Sequence, residues 1–361
     1  MKKRSLVLIF FLLISTVFAQ DFQNSESLKI DIDVEGSIEV VPESSSYSIK
    51  SINVNLSFFP KDGFNQKVLE MNIEPDNEII DDSIIFEWKN PYEKELSFGF
   101  NSRIKIYNKV VEVKDKLSFP IKELSAELEA YTKPSETIDS DDEQIVRLAS
   151  SLVKGEDDLY EAVFKLAEWT KHNVKYDLST LTAEVSQKAS WVLENKEGVC
   201  DEITSLFIAL CRAVGIPAKF ASGVAYTNSE LFEEGWGAHG WSEVYFLDYG
   251  WVPFDVTYGE FGFIDPTHVK MRESVDSVSS STEYEWVSRN VDLKTKGLEI
   301  KTELVEEKGK VEEAIELKAE AIKKEAGLGS YNLIEVGVKN LKAHYAATEV
   351  YLSKTKSVEI I

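Results

Sequence analysis

The first third of the chain contains short runs in which apolar and polar residues alternate. Apolar positions between Leu28 and Val34 are separated by charged ones, and further runs of this kind cover 49–58 and 104–113. Because successive side chains of a β-strand point to opposite faces, this pattern predicts half-buried strands. Segments that contain proline and glycine interrupt the runs at short intervals, as they do between the strands of a β-sandwich. We therefore expect residues 20–120 to form an N-terminal β-sandwich domain.

Between about residues 121 and 275, apolar residues recur with the period of a helix instead. The segment Ser140-Asp-Asp-Glu143 has the sequence of a capping box and precedes one such run, and a second run extends from about Asp158 to Asn173. The acidic residues of the first run lack the glycine and the spacing of an EF-hand calcium loop, so we interpret them as a helix cap. This region is expected to be a domain that mixes helices with strands, and the whole chain to be of the α+β class.

The last part of the chain, from about residue 292, is highly charged and less distinct in pattern. Residues 315–321 alternate as in a strand, although the same segment also fits one face of a helix. Residues 333–338 resemble a strand more clearly. We expect a small C-terminal β-domain over 292–361, and the ending Val358-Glu-Ile-Ile361, which has no polar tail, suggests that this domain is truncated.

The N-terminus has the features of a secretory signal. The basic segment Met1–Arg4 is followed by an uncharged apolar run of 14 residues from Leu6 to Ala19. This run is shorter than the ~20 residues of a membrane-spanning helix, and small residues near its end predict cleavage after Ala19. An uncleaved anchor is the alternative. No later segment has the length and apolar character of a span, so we expect residues 1–19 to be removed and the protein to be secreted or retained at the cell surface.

Composition excludes several classes of function. The chain has 63 acidic and 40 basic residues, for a formal net charge of −23, so nucleic acid is not an expected partner. Two cysteines and four histidines are too few for a cysteine-rich zinc module or a disulfide scaffold. We predict no metal and no cofactor.

Cys200 is the strongest candidate for a nucleophile. It closes Gly198-Val-Cys200 and directly precedes an apolar helical run that ends at Gly215-Ile-Pro217, so it lies at or near a helix N-terminus. Free N–H groups and the positive end of the helix dipole favour a thiolate there, and the thiolate is the nucleophilic form. The adjacent acids Asp201 and Glu202 oppose a second negative charge, so a base is needed nearby. A small buried cysteine without chemistry is the alternative.

Cys211 offers a comparison within the same predicted helix. It follows Cys200 by about three turns, which separates the two Cα atoms by about 16 Å, and a disulfide requires less than ~7 Å. We expect Cys211 to be a core residue and both thiols to remain free.

His239 and Asp255 are candidates for the base and for the group that orients it. His239 begins an alternating run that extends to Phe246, and Asp255 ends the run that returns from Trp251, which predicts a hairpin with a three-residue loop. Such a loop centred on residue 249 places Asp255 opposite Glu243 rather than His239. Contact between His239 and Asp255 therefore requires a bulge or an offset of the strands, and the proline in the returning strand makes an irregularity plausible.

Taken together, these segments resemble the transglutaminase-like family in its prokaryotic form. The resemblance covers about 140–270 and rests on Gly198-Val-Cys200, Gly215-Ile-Pro217, Gly223, His239-Gly-Trp-Ser-Glu-Val-Tyr245 and Gly250-Trp-Val-Pro-Phe-Asp255-Val-Thr257. It implies a papain-like core in which a cysteine on a helix packs against a small antiparallel sheet. It also implies Cys200 as nucleophile, His239 as general base and acid, and Asp255 as the orienting group. Gly240 stands where the family usually has Ala, and Val256 where it usually has Pro.

Other site residues are suggested by the same resemblance and by position in the sequence. The Cys200 backbone N–H is a candidate oxyanion donor. Animal transglutaminases use an upstream tryptophan, for which Trp191 is the candidate here, although a core position is the alternative. Tyr226, Trp236 and Trp241 are candidates for lining an acyl-binding cleft, and packing within the sheet is the alternative for them.

The predicted function is thiol-dependent acyl transfer from an amide of a peptide or protein substrate, outside the cytoplasm. Hydrolysis is favoured over crosslinking of Gln to Lys, because water is always present at high concentration. A surface adhesion or assembly module without catalysis is a third interpretation. The oligomeric state and any need for calcium are left open.

Overall fold

The structure is a computed structural model that describes residues 22–75, 77, 79–180, 186–229, 231–232, 235–323 and 331–350. The predicted signal (1–19) and the chain end (351–361) lie outside the described residues. The strands are β1 (Ser27–Pro42), β2 (Ser48–Leu56), β3 (Gln66–Glu74), β4 (Ile79–Ile80), β5 (Ser83–Lys89), β6 (Glu95–Tyr107), β7 (Lys175–Tyr176), β8 (Glu197–Gly198), β9 (Ala218–Tyr226), β10 (Trp236–Phe246), β11 (Gly250–Asp255), β12 (Glu260–Phe261), β13 (Val269–Ser274), β14 (Thr282–Arg289), β15 (Val291–Thr295), β16 (Glu299–Lys308), β17 (Ile315–Ala321) and β18 (Ile334–Asn340). The α-helices are α1 (Ala126–Glu129), α2 (Glu143–Leu152), α3 (Leu159–Asn173), α4 (Ala189–Asn195) and α5 (Cys200–Ala213).

Two sheets of the described chain form a β-sandwich. One has the strand order β15-β1-β6-β3, with β16 also paired to β1, and the other has the order β14-β2-β5-β4. Alternate residues from Leu28 to Val34 in β1 and from Ile52 to Leu56 in β2 are fully buried in one apolar cluster. Burying each such side chain contributes about 1.5–3 kcal/mol, so the alternation in the sequence determines which face of each strand turns inward.

Strands from the C-terminal part of the chain complete this sandwich. β14 pairs with β2, whereas β15 and β16 pair with the two halves of the 16-residue strand β1. Residues 292–308, which the sequence analysis assigns to a separate C-terminal β-domain, are therefore part of the sandwich. The reason for the error is that an alternating pattern identifies a strand but not its partner. Further along the chain, β17 and β18 form an antiparallel hairpin, so residues 315–321 are a strand rather than a helix.

Residues 126–274 form an α/β unit with one antiparallel sheet of order β12-β11-β10-β9-β13. α5 is its central helix, since every residue from Glu202 to Arg212 is buried. The cap of α2 is Asp142, whose carboxylate accepts the N–H groups of Gln144 and Ile145, so the cap lies two residues after the predicted Ser140. Helices packed on this sheet, together with the sandwich, confirm the predicted α+β class.

The sandwich and the α/β unit share an apolar contact. Val224 on β9, with Val269 and Met271 on β13, belongs to the core cluster of the sandwich. This contact fixes one edge of the α/β sheet against the sandwich. Within the described part of the chain, no helix combines the length and apolar character needed to cross a membrane.

Candidate active site

Cys200 is the first residue of α5 and is partly exposed, whereas Cys211 is fully buried in the same helix. A buried carboxylate, that of Glu202, holds the segment that leads into the helix. Its Oε2 accepts the backbone N–H of Val199 at 3.0 Å and the hydroxyl of Thr180 at 2.8 Å. The first bond satisfies the N–H of the N-cap residue, and the second ties the start of α5 to the segment that contains Thr180.

His239 and Asp255 meet through a diagonal contact between neighbouring strands. The hairpin loop comprises residues 247–249, one residue earlier than expected, and the resulting register places Asp255 opposite Trp241. The predicted register, with Asp255 opposite Glu243, is wrong by two residues, and no bulge is needed. Diagonal neighbours lie within reach of long side chains. His239 Nε2 is accordingly 2.6 Å from Asp255 Oδ2.

Asp255 is fully buried and uses both of its carboxylate oxygens. Oδ1 accepts the backbone N–H groups of Thr257 at 2.8 Å and Tyr258 at 2.9 Å. Oδ2 accepts from His239 and, at 3.1 Å, from Nε2 of His268. Burial alone would raise the pKa of Asp255, but the two imidazoles outweigh burial and hold that pKa below its usual range. Asp255 is therefore ionised at neutral pH.

The contact with Asp255 determines which nitrogen of His239 is available for chemistry. Because Nε2 donates to Asp255, Nδ1 is the nitrogen that remains for Cys200, whose side chain is near enough to raise the pKa of His239. Burial lowers the pKa of His239, but the charge of Asp255 and its hydrogen bond outweigh burial and raise the pKa to about 9. His239 is thus protonated at neutral pH and can act as an acid toward a leaving group. The structure brings together the three residues that the motifs suggest.

A phenol lies beside the candidate oxyanion donor. Tyr176 lies beside Cys200, and burial together with the nearby Cys200 raises the pKa of its phenol. The parallel pair β7 and β8 carries it there, with Tyr176 opposite Gly198. Trp191, the upstream tryptophan suggested by the sequence, lies on α4, partly packed against the helical core. It does not line the cavity at His239, so Tyr176 takes the place beside Cys200 that was expected for Trp191.

A cavity of about 240 Å³ opens beside His239. Tyr176, Phe232 and Tyr258 give it aromatic walls, and the strand before His239 contributes a small residue, Ala238. Its described lining residues include no carboxylate. The cavity therefore suits a neutral, partly apolar group.

The aromatic residues expected to line this cleft lie elsewhere. Trp241 is fully buried, with its ring stacked behind that of His239 at a centroid distance of 6.2 Å. Tyr226 and Trp236 pack edge to face at 5.4 Å and contact the core cluster of the sandwich. None of the three lines the cavity at His239. Trp241 shares a face of β10 with His239 but is buried behind it, and Tyr226 and Trp236 pack against the sandwich, so their closeness to the motifs in sequence reflects core packing.

A second histidine extends the network behind Asp255. His268 is fully buried, with Nε2 directed at Asp255 and Nδ1 3.3 Å from Oδ1 of Asp265. Ligand atoms of His268, Asp265 and Glu260 lie within 4.8 Å of one another, which is close enough for a metal ion. Both ring nitrogens of His268 already face carboxylate oxygens at hydrogen-bonding distance. We therefore interpret the group as a hydrogen-bonded network rather than a metal site.

Sequence reasoning missed three residues at this site, namely Tyr176, Tyr258 and His268. A signal for His268 existed, because it is one of four histidines and follows Glu260 and Asp265 within an otherwise apolar segment. Tyr176 gives no local signal, since the pairing of two-residue strands that are far apart in sequence brings it to the nucleophile.

We expect iodoacetamide to alkylate Cys200 on the order of 100-fold faster than Cys211 in the native protein. Cys200 is partly exposed beside His239, whereas burial raises the pKa of the Cys211 thiol. His239→Ala should slow the labelling of Cys200 near neutral pH, because the positive partner of the thiolate is lost. Peptide mapping after timed labelling measures both rates. Equal labelling, or a Cys200–Cys211 disulfide under non-reducing conditions, would contradict this arrangement.

Known proteins are similar to this chain in sequence and in fold. Residues 146–256 match the sequence profile of the transglutaminase-like superfamily. The uncharacterized protein YebA of Bacillus subtilis (strain 168) is 30% identical over 156 residues, which cover 39% of this chain and 20% of YebA. This chain thus spans about a fifth of the length of that relative.

Among solved structures, a candidate cysteine protease from Cytophaga hutchinsonii superposes with a TM-score of 0.56 and 18% sequence identity, over 78% of this chain and 92% of that one. At this identity the similarity establishes the fold alone. The periplasmic domain of TgpA from Pseudomonas aeruginosa, bound to ethylmercury, gives a TM-score of 0.35 at 15% identity, over 66% of this chain and 92% of that domain. The profile match and the Cytophaga structure confirm the transglutaminase-like fold that the motifs predict.

Proposed function

Because the chain contains a domain of the transglutaminase-like superfamily, we propose that it is a cysteine-dependent enzyme that hydrolyses amide bonds in peptides or proteins. Cys200, His239 and Asp255 are its catalytic triad. The observation that carries the proposal is the buried contact of 2.6 Å between His239 Nε2 and Asp255 Oδ2, beside the partly exposed Cys200, whose side chain contributes to the raised pKa of His239. Cys211, by contrast, is enclosed in the apolar core.

In the proposed reaction the Cys200 thiolate attacks the amide carbonyl carbon and forms a C–S bond, so that negative charge moves to the carbonyl oxygen. The backbone N–H of Cys200 and the Tyr176 hydroxyl are the proposed donors to this oxyanion. His239 transfers its proton to the leaving nitrogen as the C–N bond breaks, which leaves a thioester. Neutral His239 then removes a proton from water, whose oxygen attacks the thioester. The C–S bond breaks, and the acid, the thiolate and protonated His239 result.

The open edge of β10 before His239 supports an extended peptide as the substrate. β10 pairs with β9 on one side, where the N–H of Thr227 donates to the carbonyl of Gly235. Bonding directions alternate along an antiparallel pair, so the N–H and C=O of Ala238 point to the other side. β11 ends at Asp255, and no described strand pairs with Ala238 on that side. A substrate backbone can therefore add there as a strand and enter the cavity beside His239.

The neutral lining of the cavity supports water as the acyl acceptor. A lysine ammonium is costly to desolvate without a charged partner, and the described lining residues offer no carboxylate. Glu230, Glu233 and Glu234, which suit such a role, lie outside the described residues. Because a thioester partitions according to how the site positions the acceptor, we favour hydrolysis, with crosslinking of Gln to Lys as the alternative.

Incubation of the purified protein with a glutamine-rich protein and a labelled primary amine should give mainly hydrolysis. Mass spectrometry is expected to show cleaved peptides or Gln converted to Glu, with little amine incorporated. The rate should fall as pH rises above about 9, because His239 then loses the proton that the leaving nitrogen needs. Cys200→Ala should give neither product, and Tyr176→Phe should lower kcat by about 10²-fold through loss of an oxyanion donor.

Cys211→Ala is the matched control, since it removes the other thiol of α5 and should retain activity. If incorporation of the amine dominates, the activity is that of a crosslinking transferase rather than that of a hydrolase. No product across a broad panel of substrates, together with an unreactive Cys200, would favour a non-catalytic adhesion or assembly module.

We also propose that the enzyme acts outside the cytoplasm, on the basis of the basic segment and the apolar run that precede residue 20. Protein recovered outside the cells should begin at Gln20. An intact N-terminus found only in the cytoplasmic fraction would argue against export.

A further inference from the structure

We propose that His268 is a positioning residue for this reaction, a buried imidazolium that bridges Asp255 to Asp265 and divides the charge of Asp255 between two histidines. The inference rests on the proposed function, because it concerns the same triad. Its basis is geometric. Nε2 of His268 lies 3.1 Å from Asp255 Oδ2 and Nδ1 lies 3.3 Å from Asp265 Oδ1, and the side chain is fully buried.

The geometry requires a proton on both ring nitrogens of His268. An ionised carboxylate only accepts hydrogen bonds, so each contact needs an N–H on the imidazole. Asp265 is fixed as an acceptor, since its Oδ1 also accepts the backbone N–H of Thr267 at 2.7 Å and the Thr267 hydroxyl at 2.6 Å. Burial alone would lower the pKa of His268, but the carboxylates on its two sides outweigh burial and raise it.

Glu260 allows the charges of this network to balance. It lies on β12 opposite Asp255, and its Oε2 accepts the backbone N–H of Asp265 at 3.0 Å. Burial and the nearby charge of Asp265 raise the pKa of Glu260 well above its usual range, which favours a neutral carboxyl. Two carboxylates, of Asp255 and Asp265, then face two imidazoles, and the buried group is neutral when both histidines are protonated.

Three aromatic rings also lie close to His268. Those of Tyr258 and Trp241 lie at centroid distances of 5.3 Å each, and that of His239 lies at 5.6 Å. A positive charge on His268 at this distance opposes the pull of Asp255 on His239. Protonated His239 is therefore a stronger acid than Asp255 alone would make it, and it gives its proton to the leaving nitrogen more readily.

The test compares His268→Gln with the wild type in the full chain. Glutamine keeps an N–H donor for Asp255 but carries no charge. We expect the alkaline limb of the pH profile, where kcat/KM for a cleaved peptide falls as His239 loses its proton, to shift to higher pH by about one to two units. At pH 7 we expect kcat/KM to fall by about 10- to 100-fold. Asp265→Asn should move the limb in the same direction, because protonated His268 loses a partner. Glu260→Gln, which replaces a neutral carboxyl, should leave the limb in place.

The inflection in the pH profile of Cys200 alkylation reports His239 without any substrate. In His268→Gln this inflection should shift to higher pH, even if no hydrolysable substrate has been found. Failure of the proposed function can therefore be distinguished from failure of this inference. If His268→Gln does not fold, Asp265→Asn carries the test. A lower melting temperature with an unmoved pH profile would assign His268 a structural role only and overturn the proposal.

Discussion

Asp255→Asn is expected to lower kcat/KM by about 10³- to 10⁴-fold, because it reverses the tautomer of His239, the proposed base. The backbone N–H groups of Thr257 and Tyr258 require an oxygen at the Oδ1 position. The new amide NH₂ is then directed at Nε2 of His239, which must be unprotonated to accept it. The proton of the neutral imidazole moves to Nδ1, the nitrogen that faces Cys200. In that tautomer His239 cannot receive the proton of an attacking thiol or water.

Steady-state kinetics with a cleaved peptide and the rate of Cys200 alkylation measure this effect. Asparagine is nearly isosteric with aspartate, and thermal unfolding verifies that the fold persists. Asp248→Asn is the matched control, since Asp248 is exposed in the hairpin loop at φ 68°, a conformation that asparagine tolerates. A loss of less than tenfold in Asp255→Asn would contradict the assigned tautomer.

Arg212→Leu is expected to lower the free energy of unfolding by about 3–5 kcal/mol. Arg212 is buried near the end of α5, and its guanidinium donates hydrogen bonds to backbone carbonyls of three separate segments. Nε donates to the carbonyl of Ala218 at 3.1 Å, Nη2 to Val275 at 2.7 Å and Nη1 to Lys133 at 2.9 Å. Burial lowers the pKa of Arg212 to about 10, so the group is still charged at neutral pH. Leucine would leave these carbonyl oxygens without a donor in the interior.

Denaturant unfolding monitored by tryptophan fluorescence measures the loss. Arg147→Leu is the control, because Arg147 is exposed on α2 in a surface pair with Glu143 at 3.1 Å, where an effect below about 1 kcal/mol is expected. Arg212→Lys keeps the charge but not the planar fork, and it should fall between the two. A change of less than 1 kcal/mol in Arg212→Leu would show that these carbonyls find other donors.

The local structure around Cys200, His239 and Asp255 could be predicted because each of them lies in a motif whose structure depends on nearby residues. The apolar run that begins after Cys200 defines a helix, and alternation around His239 and before Asp255 defines two strands of a hairpin. The pairing register of β10 and β11 was harder to predict, because it depends on which residue starts the hairpin loop. If the loop starts one residue earlier, every residue of β11 faces a β10 residue two positions earlier. The sequence does not show which strands pair when they are separated by many residues. This is why Tyr176 was not foreseen as a neighbour of Cys200.

Because strand pairing could not be predicted from the sequence, the boundary of the C-terminal domain was wrongly placed at residue 292. The charged sequence of 292–308 shows no distinct pattern, and nothing in it gives a reason to join this segment to β1 rather than to its neighbours in sequence. The prediction that Tyr226, Trp236 and Trp241 line the substrate cleft was wrong for a related reason. Trp241 is buried behind His239 in a cluster with Ala221 and Ile264, and an aromatic ring gives the same signal in a sequence whether it lies in a core or in a cleft.

The joining of β14, β15 and β16 to β1 and β2 determines the order in which the chain can assemble. During synthesis β1 and β2 leave the ribosome long before their C-terminal partners, so their edges stay unpaired while the whole α/β unit is made. Unpaired edges are sites of aggregation, and closing a long loop of disordered chain has an entropic cost. An α/β unit that folds first replaces most of that loop with a compact body and brings residue 282 near β2. We therefore expect the sandwich to close last, and a chain cut after residue 275 to keep Cys200, His239 and Asp255 but expose the edges of both sheets.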